Sequence, residues 1–149
     1  MTCIKNFNRA NVTLFPTATC NLRCRYCNID KNPVLKEIDE KLAESFKGTY
    51  YFDRIKEYFP LPHQLKMVET WGGEPFLHME RIHETLHYLI NYYPFFNRMY
   101  SSTNFSYPEW TDKFFGLMEQ FGKYPHRNFT YFLQLSCDGP EEINDYGRG

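Results

Sequence analysis

No excess of one charge, no long apolar run and no internal repeat marks this sequence. Its 17 Lys and Arg nearly balance 18 Asp and Glu, for a formal charge of -1, so it lacks the basic field that attracts nucleic acid or an anionic membrane. The longest apolar stretches, such as Tyr92 to Phe96, are broken by Pro or Asn and fall far below the roughly 18 residues that cross a bilayer. Neither a nucleic acid nor a membrane is expected as a partner. After Met1 to Ala10 only Val12 to Phe15 forms an apolar patch, too little for a secretory signal, which predicts a cytoplasmic chain. With no low-complexity tract or linker, the 149 residues, 42% hydrophobic and 23% charged, read as one soluble packing unit. Cysteine is sparse and odd in number: five, at positions 3, 20, 24, 27 and 137. Three crowd into eight residues of a chain without an export signal, which points to a metal or redox site and not a disulfide frame.

What is present alternates. Asn11 to Pro16, Leu65 to Trp71, Arg98 to Thr103 and Asn128 to Ser136 are rich in β-formers and stop at polar or Gly-rich loops, as strands do. In the fourth, the near-continuous run from Phe129 to Leu135 predicts a strand covered on both faces. Between these runs the apolar period becomes three or four: Leu35, Ile38, Leu42, Phe46, Ile55 and Phe59; Met79, Ile82, Leu86 and Leu89; Trp110, Phe114, Leu117, Met118 and Phe121. These predict amphipathic helices, the first broken at Gly48 and closed by Pro60 and Pro62. Strand and helix follow one another four times, which predicts an α/β chain with a parallel sheet and its chemistry at the loops after the carboxyl ends of the strands.

On the first of those loops stands Cys20-Asn-Leu-Arg-Cys24-Arg-Tyr-Cys27, a C-x3-C-x2-C spacing. Three thiolates so close can hold three irons of a 4Fe-4S cluster and leave the fourth open to a small molecule. A structural zinc wants a fourth Cys or His, and the next histidine is His63. Cys24 and Cys27 as a redox pair leave Cys20 without a role. The spacing favours the cluster over both.

Here the sequence resembles the radical S-adenosylmethionine (SAM) enzymes. Cys20-x3-Cys24-x-Tyr26-Cys27 is similar to that family's cluster motif, with its aromatic before the last cysteine. Gly72-Gly73-Glu74-Pro75, after the second strand, resembles the motif that receives the methionine amino group. Ser102-Thr103-Asn104 ends the third strand where the family often has a Thr-Asn pair. The segment from Leu135 to Arg148, with Ser136-Cys137-Asp138-Gly139-Pro140 at its start, looks like the Ser-Leu-Asp-Gly-Pro segment of the SPASM-type, peptide-modifying and sulfatase-maturing branch. The resemblance implies a partial (β/α) barrel of about four parallel strand-helix units, a 4Fe-4S cluster, and SAM cleaved reductively to a 5′-deoxyadenosyl radical. It further implies an oxidoreductase acting on a peptide or protein substrate, with an electron donor such as a flavodoxin or ferredoxin.

The implied roles have physical sense. Cys20, Cys24 and Cys27 would ligate iron. Gly72 and Gly73 would let backbone carbonyls approach an ammonium, with Glu74 adding negative charge. Arg148 would pair with the SAM carboxylate, Tyr26 would lie by the adenine, and Ser136 offers a hydroxyl to carboxylate or ribose. No residue is assigned to the substrate-directed chemistry itself. Each position also suits a plainer role: Gly72-Gly73-Glu74-Pro75 a tight turn, Tyr26 a core aromatic, Ser136 a strand end, Arg148 a frayed terminus. For Asn104 and Asp138 loop-end hydrogen bonding is favoured, and Cys3 and Cys137 read as buried or incidental thiols.

Two further readings differ in class. His83-Glu84-Thr85-Leu86-His87 fits a zinc-peptidase pattern, but no Gly-x-x-His follows it, Glu109 as a distant ligand is unsupported, and the helix would lie away from the cysteine loop. A barrel of this type needs more strands than four and commonly about 200 residues or more. The chain therefore reads as the N-terminal portion of a core domain, lacking the second half of the barrel and a Cys-rich C-terminal region. A non-catalytic remnant is the alternative, and a polypeptide completing the barrel a further expected partner.

Overall fold

A computed structural model of the chain describes residues 10–29, 32–37, 39, 49–121, 128–137 and 140–148, with 143–145 described by backbone alone. Four strands, β1 (Ala10–Leu14), β2 (Leu65–Thr70), β3 (Arg98–Thr103) and β4 (Thr130–Leu135), alternate with helices α1 (Tyr50–Tyr58), α2 (Met79–Tyr92), α3 (Glu109–Glu119) and α4 (Glu141–Arg148). Residues 33–37 form one more helical turn before α1. The sheet runs β1-β2-β3-β4 with every pair parallel. The chain is thus an α/β fold with a four-stranded parallel sheet, the class its alternation predicts. Among the described residues no helix is long and apolar enough to cross a membrane.

Alternation along the strands decides which face meets the helices. Val12, Leu14, Val68 and Met99 point to one side and pack with Ile55 of α1 and with Ile82, Leu86 and Leu89 of α2. Each fully buried aliphatic side chain there contributes about 1.5–3 kcal/mol. The predicted α2 positions Met79, Ile82, Leu86 and Leu89 are all buried. In α3 the predicted stripe is buried at Trp110 and Phe114 and at Phe121 just beyond the helix, with Leu117 and Met118 partly covered. Tyr93 and Tyr92, at the end of α2, donate to the carbonyls of Phe59 and Pro60, tying α2 to the proline-marked exit of α1. The predicted positions Ile38, Leu42, Phe46 and Gly48 lie outside the described residues, as do Cys3, Asp138 and Gly139.

A buried polar chain crosses the helix-side face: Thr70 Oγ1 is 2.6 Å from Ser101 Oγ, which is 2.6 Å from the Tyr131 hydroxyl. Burial pushes the Tyr131 phenol up to about 12, against the opposing hydrogen bond from Ser101.

The fourth strand departs from expectation. It was predicted to be covered on both faces, yet Thr130, Phe132, Gln134 and Leu135 are exposed, and only Tyr131 and Leu133 are half-buried. The reason is the face: Phe132, like its neighbour Tyr100 on the inner strand β3, stands on the side opposite the helices and keeps more than a third of its surface exposed. The opposite sheet face, carrying Thr13, Tyr100 and Phe132, stays open to solvent in part.

Candidate functional site

The loop after β1 is held before it reaches the cysteines. Thr17 is fully buried, and the Asp39 carboxylate accepts from Thr17 Oγ1 at 2.9 Å and from Thr19 Oγ1 at 2.7 Å. The Thr19 amide donates both to Thr17 Oγ1 and to Asp39. Burial alone would raise the Asp39 pKa, but hydrogen bonds from Thr19, the Ala18 amide and Thr17 together hold it below the usual carboxylate range. Sequence reading missed Asp39. Its only signal was an acidic residue within an apolar helical period.

The Gly72-Gly73 turn closes on this loop. The Gly73 amide donates to the Thr17 carbonyl and the Glu74 amide to the Thr19 carbonyl, both at 2.8 Å. Gly72 has a φ of +148°, and a Cβ there would stand 2.4 Å from the Thr17 carbonyl oxygen; at Gly73 it would stand 2.2 Å from that of Thr19. Only residues without a side chain permit so close an approach. The glycines therefore have a demand besides the one expected of them: they seat the β1 loop.

Glu74 likewise does more than supply charge. Its side chain is 1% exposed. Oε1 accepts from the Phe76 amide at 2.9 Å and from Thr103 Oγ1 at 2.7 Å, and Oε2 from the Asn104 amide at 2.7 Å. It caps the 3-10 turn Pro75–His78 and ties the end of β2 to the end of β3. Burial raises its pKa, opposed by hydrogen bonds from the Asn104 amide, Thr103 and the Phe76 amide and by the charge of Arg148. Beneath it Phe76, Met79, Trp110 and Phe114 form a second apolar cluster.

Above these turns lies a cavity of about 190 Å³, and every site residue expected from the sequence lines it: Cys20, Cys24 and Cys27, Tyr26, Gly72, Gly73 and Glu74, then Ser136 and Arg148. This is smaller than the roughly 300–1,000 Å³ of a cofactor pocket, but Trp71 and Ser102 also line it, and they continue onto the open sheet face. Among the described residues the three thiols form no disulfide, and each is half-buried. Cys27 turns back so that its amide donates to the Cys24 carbonyl, and the Leu22 amide points at Cys20 Sγ at 3.4 Å. Burial pushes the Cys20 thiol up; the Leu22 amide opposes this, while Glu74, Cys24 and Cys27 add to it. Among the described residues no three His, Cys, Asp or Glu side chains form a group that could hold one metal ion.

Asn104 shows the loop-end bonding expected of it, its Oδ1 accepting from the Ser106 amide. It also reaches the cysteines: its Nδ2 donates to Asn21 Oδ1 at 3.0 Å and lies 3.8 Å from Cys20 Sγ. Tyr26 is 55% exposed, not a core aromatic. Arg148, in the last turn of α4, lines the cavity, and the Arg25 amide donates to the Gly147 carbonyl beside it. Cys137 is exposed and not buried, beyond the end of β4. His83 stands elsewhere, its ring 4.8 Å from that of Phe121 and its Nε2 buried without a hydrogen-bond partner. Burial lowers its pKa, opposed by a backbone hydrogen bond with Leu117. Glu84, His87 and Glu109 are exposed.

Compared with known proteins, the chain matches no family model and no curated protein.

Proposed function

We propose that this chain is a radical SAM enzyme, or the N-terminal portion of one, which binds a 4Fe-4S cluster through Cys20, Cys24 and Cys27 and SAM beside it to modify a peptide or protein side chain. One observation carries the reading: residues from five separate stretches of sequence, at 20–27, 72–74, 102–104, 136 and 148, line a single cavity at the carboxyl ends of the strands. The donor set suits a cluster: three thiols border one cavity, and a 4Fe-4S group takes one thiolate per iron.

When bound, the cluster would supply the electron that cleaves SAM and so starts hydrogen abstraction from the substrate. The chain's own residues would do the positioning. The Asp39-held turn and the two glycines fix where Cys20 begins, and Asn104 holds the Asn21 side chain next to it. Arg148 offers a guanidinium for a carboxylate, and Ser136 and Tyr26 border the same space. The peptide substrate follows from the resemblance of the 135–148 segment alone, and a flavodoxin- or ferredoxin-like donor would deliver the electron.

Anaerobic reconstitution with iron and sulfide tests this. About four irons per chain are expected, lost on Cys20→Ala, Cys24→Ala or Cys27→Ala and retained on Cys3→Ala and Cys137→Ala. SAM should then change the electron paramagnetic resonance spectrum of the reduced cluster, and Arg148→Ala should weaken SAM binding by about 1.5–3 kcal/mol. Zinc without sulfide, indifferent to the three cysteine changes, would overturn the assignment.

A further inference from the structure

The open face of the sheet carries a row of one residue per strand. Thr13 pairs in register with Glu69, Glu69 with Tyr100, and Tyr100 with Phe132. The Tyr100 and Phe132 rings stack with centroids 4.6 Å apart, 15° from parallel, and each is more than a third exposed. Trp71, just past the end of β2 and 54% exposed, stands two residues beyond Glu69 toward the cysteine cavity, which it also lines. Exposed aromatics gathered in this way mark a binding surface.

The carboxylate among them says what kind. Glu69 is half-buried; one oxygen accepts from Thr13 Oγ1, and among the described residues no cation pairs with it. Covering this row with an apolar group would bury an unpaired carboxylate, which is costly. Covering it with a cation on an apolar stem would neutralise that charge while the stem lies along the exposed aromatic row. The row thus selects for a cation and against its uncharged isostere. Arg98 lies on the same face, two residues before Tyr100 and away from the cavity, so it repels a cation from that end and leaves the Trp71 side for it.

We infer that Glu69, Trp71, Tyr100 and Phe132 form a subsite for a cationic side chain of a peptide, of the lysine or arginine kind, next to the cysteine cavity. As an account of substrate choice this rests on the radical SAM reading, whereas the binding itself does not require the cluster.

Titration of the full chain with the blocked peptide Ala-Ala-Lys-Ala-Ala, followed by the two tryptophan indole N–H signals in NMR, tests it; Trp71→Phe assigns them. The lysine peptide should shift Trp71 and leave the buried Trp110 in place. The same peptide with norleucine, or with phenylalanine, should bind at least tenfold more weakly. Glu69→Gln should weaken the lysine peptide at least fivefold, and Glu69→Asp, which keeps the charge, should recover part of that loss. Cys20→Ala should abolish iron binding yet leave the lysine peptide's affinity unchanged, so failure of the cluster assignment and failure of this subsite are read separately. Equal binding of the lysine and norleucine peptides, an unchanged affinity in a folded Glu69→Gln protein, or no shift of Trp71 at tens of millimolar peptide would each overturn the subsite.

Discussion

The guanidinium of Arg25 lies 4.0 Å from the centre of the Tyr146 ring, so the middle of the cysteine loop is fastened to α4. The same contact carries a backbone bond from the Arg25 amide to the Gly147 carbonyl, one residue before Arg148. A link between positions so far apart in sequence brings a cation from α4 to a cavity bordered by the carboxyl ends of all four strands.

Tyr146→Ala should loosen that link selectively. An exposed cation–π contact is worth about 0.5–1 kcal/mol, so global unfolding should move little. The Arg25 amide should exchange with solvent several-fold faster while β2 and β3 amides keep their rates, and Tyr146→Phe should behave as the unaltered chain does. Hydrogen exchange read residue by residue checks this; uniform acceleration across the sheet would mean that α4 supports the whole fold rather than the loop.

Gly73→Ala should be among the most damaging single changes. Its new methyl would stand 2.2 Å from the Thr19 carbonyl oxygen and 2.6 Å from that of Ala18, and both are backbone atoms that cannot rotate away. A loss of at least about 1–3 kcal/mol is expected, whereas Gly116→Ala, with nothing near its added methyl, should stabilise α3 by about 1 kcal/mol. Paired urea melts of the two variants measure the contrast.

Asp39 makes stability depend on acid. Its folded pKa is held below the unfolded value by the Thr17, Ala18 and Thr19 donors, against burial. The stabilisation is therefore fully present above the unfolded pKa, near 3.8, and is lost as pH falls through the folded one. Asp39→Asn should cost about 1–2 kcal/mol at neutral pH, less than a fully buried charged bond because the group is partly solvated. It should also flatten the fall in stability below pH 4. Melting temperatures of both proteins between pH 3 and 7 test this, and parallel curves would rule the clamp out.

The periodicities of α2 and β2 were legible because each buries one face against the other, so Ile82, Leu86, Leu89 and Val68 carry the pattern openly. The cysteine loop and the Gly-Gly turn were legible because their residue types are rare and closely spaced. The β4 coverage was misread for a physical reason: an apolar run has the same sequence signature whether or not a second layer covers its other face, and Phe132, like Tyr100 on the central β3, stands on the face opposite the helices. Asp39 was not legible at all. Its partners Thr17 and Thr19 lie about twenty residues away, and nothing in the spacing ties them.

The β4 edge should be sticky. Leu135 is 58% and Phe132 38% exposed on a strand with a neighbour on one side only among the described residues, the arrangement that invites pairing with another chain. Concentration-dependent association is expected in light scattering, reduced by Leu135→Lys. A monomer at all concentrations would show that this edge is protected.

Glu74→Gln separates the geometric role of the carboxylate from its charge. The glutamate accepts three bonds, two at Oε1 and one at Oε2. A glutamine has one acceptor oxygen and one donor group, so whichever way it turns, an N–H would face another donor, the Asn104 amide if the oxygen keeps Phe76 and Thr103. The loss of that bond in a buried site should cost about 1–3 kcal/mol and free the end of β3, with faster exchange at the Asn104 amide. The charge works in the other direction. Burial raises the Glu74 pKa above its unfolded value, 4.5, so its titration lowers stability as pH rises from that value through the folded pKa. Glutamine does not titrate. The destabilisation by Glu74→Gln should therefore be largest near pH 4 and shrink as pH rises past the folded pKa. Denaturant melts of both proteins at pH 4 and pH 7 decide it: a penalty that grows with pH would show that the ionised carboxylate is favoured where it sits.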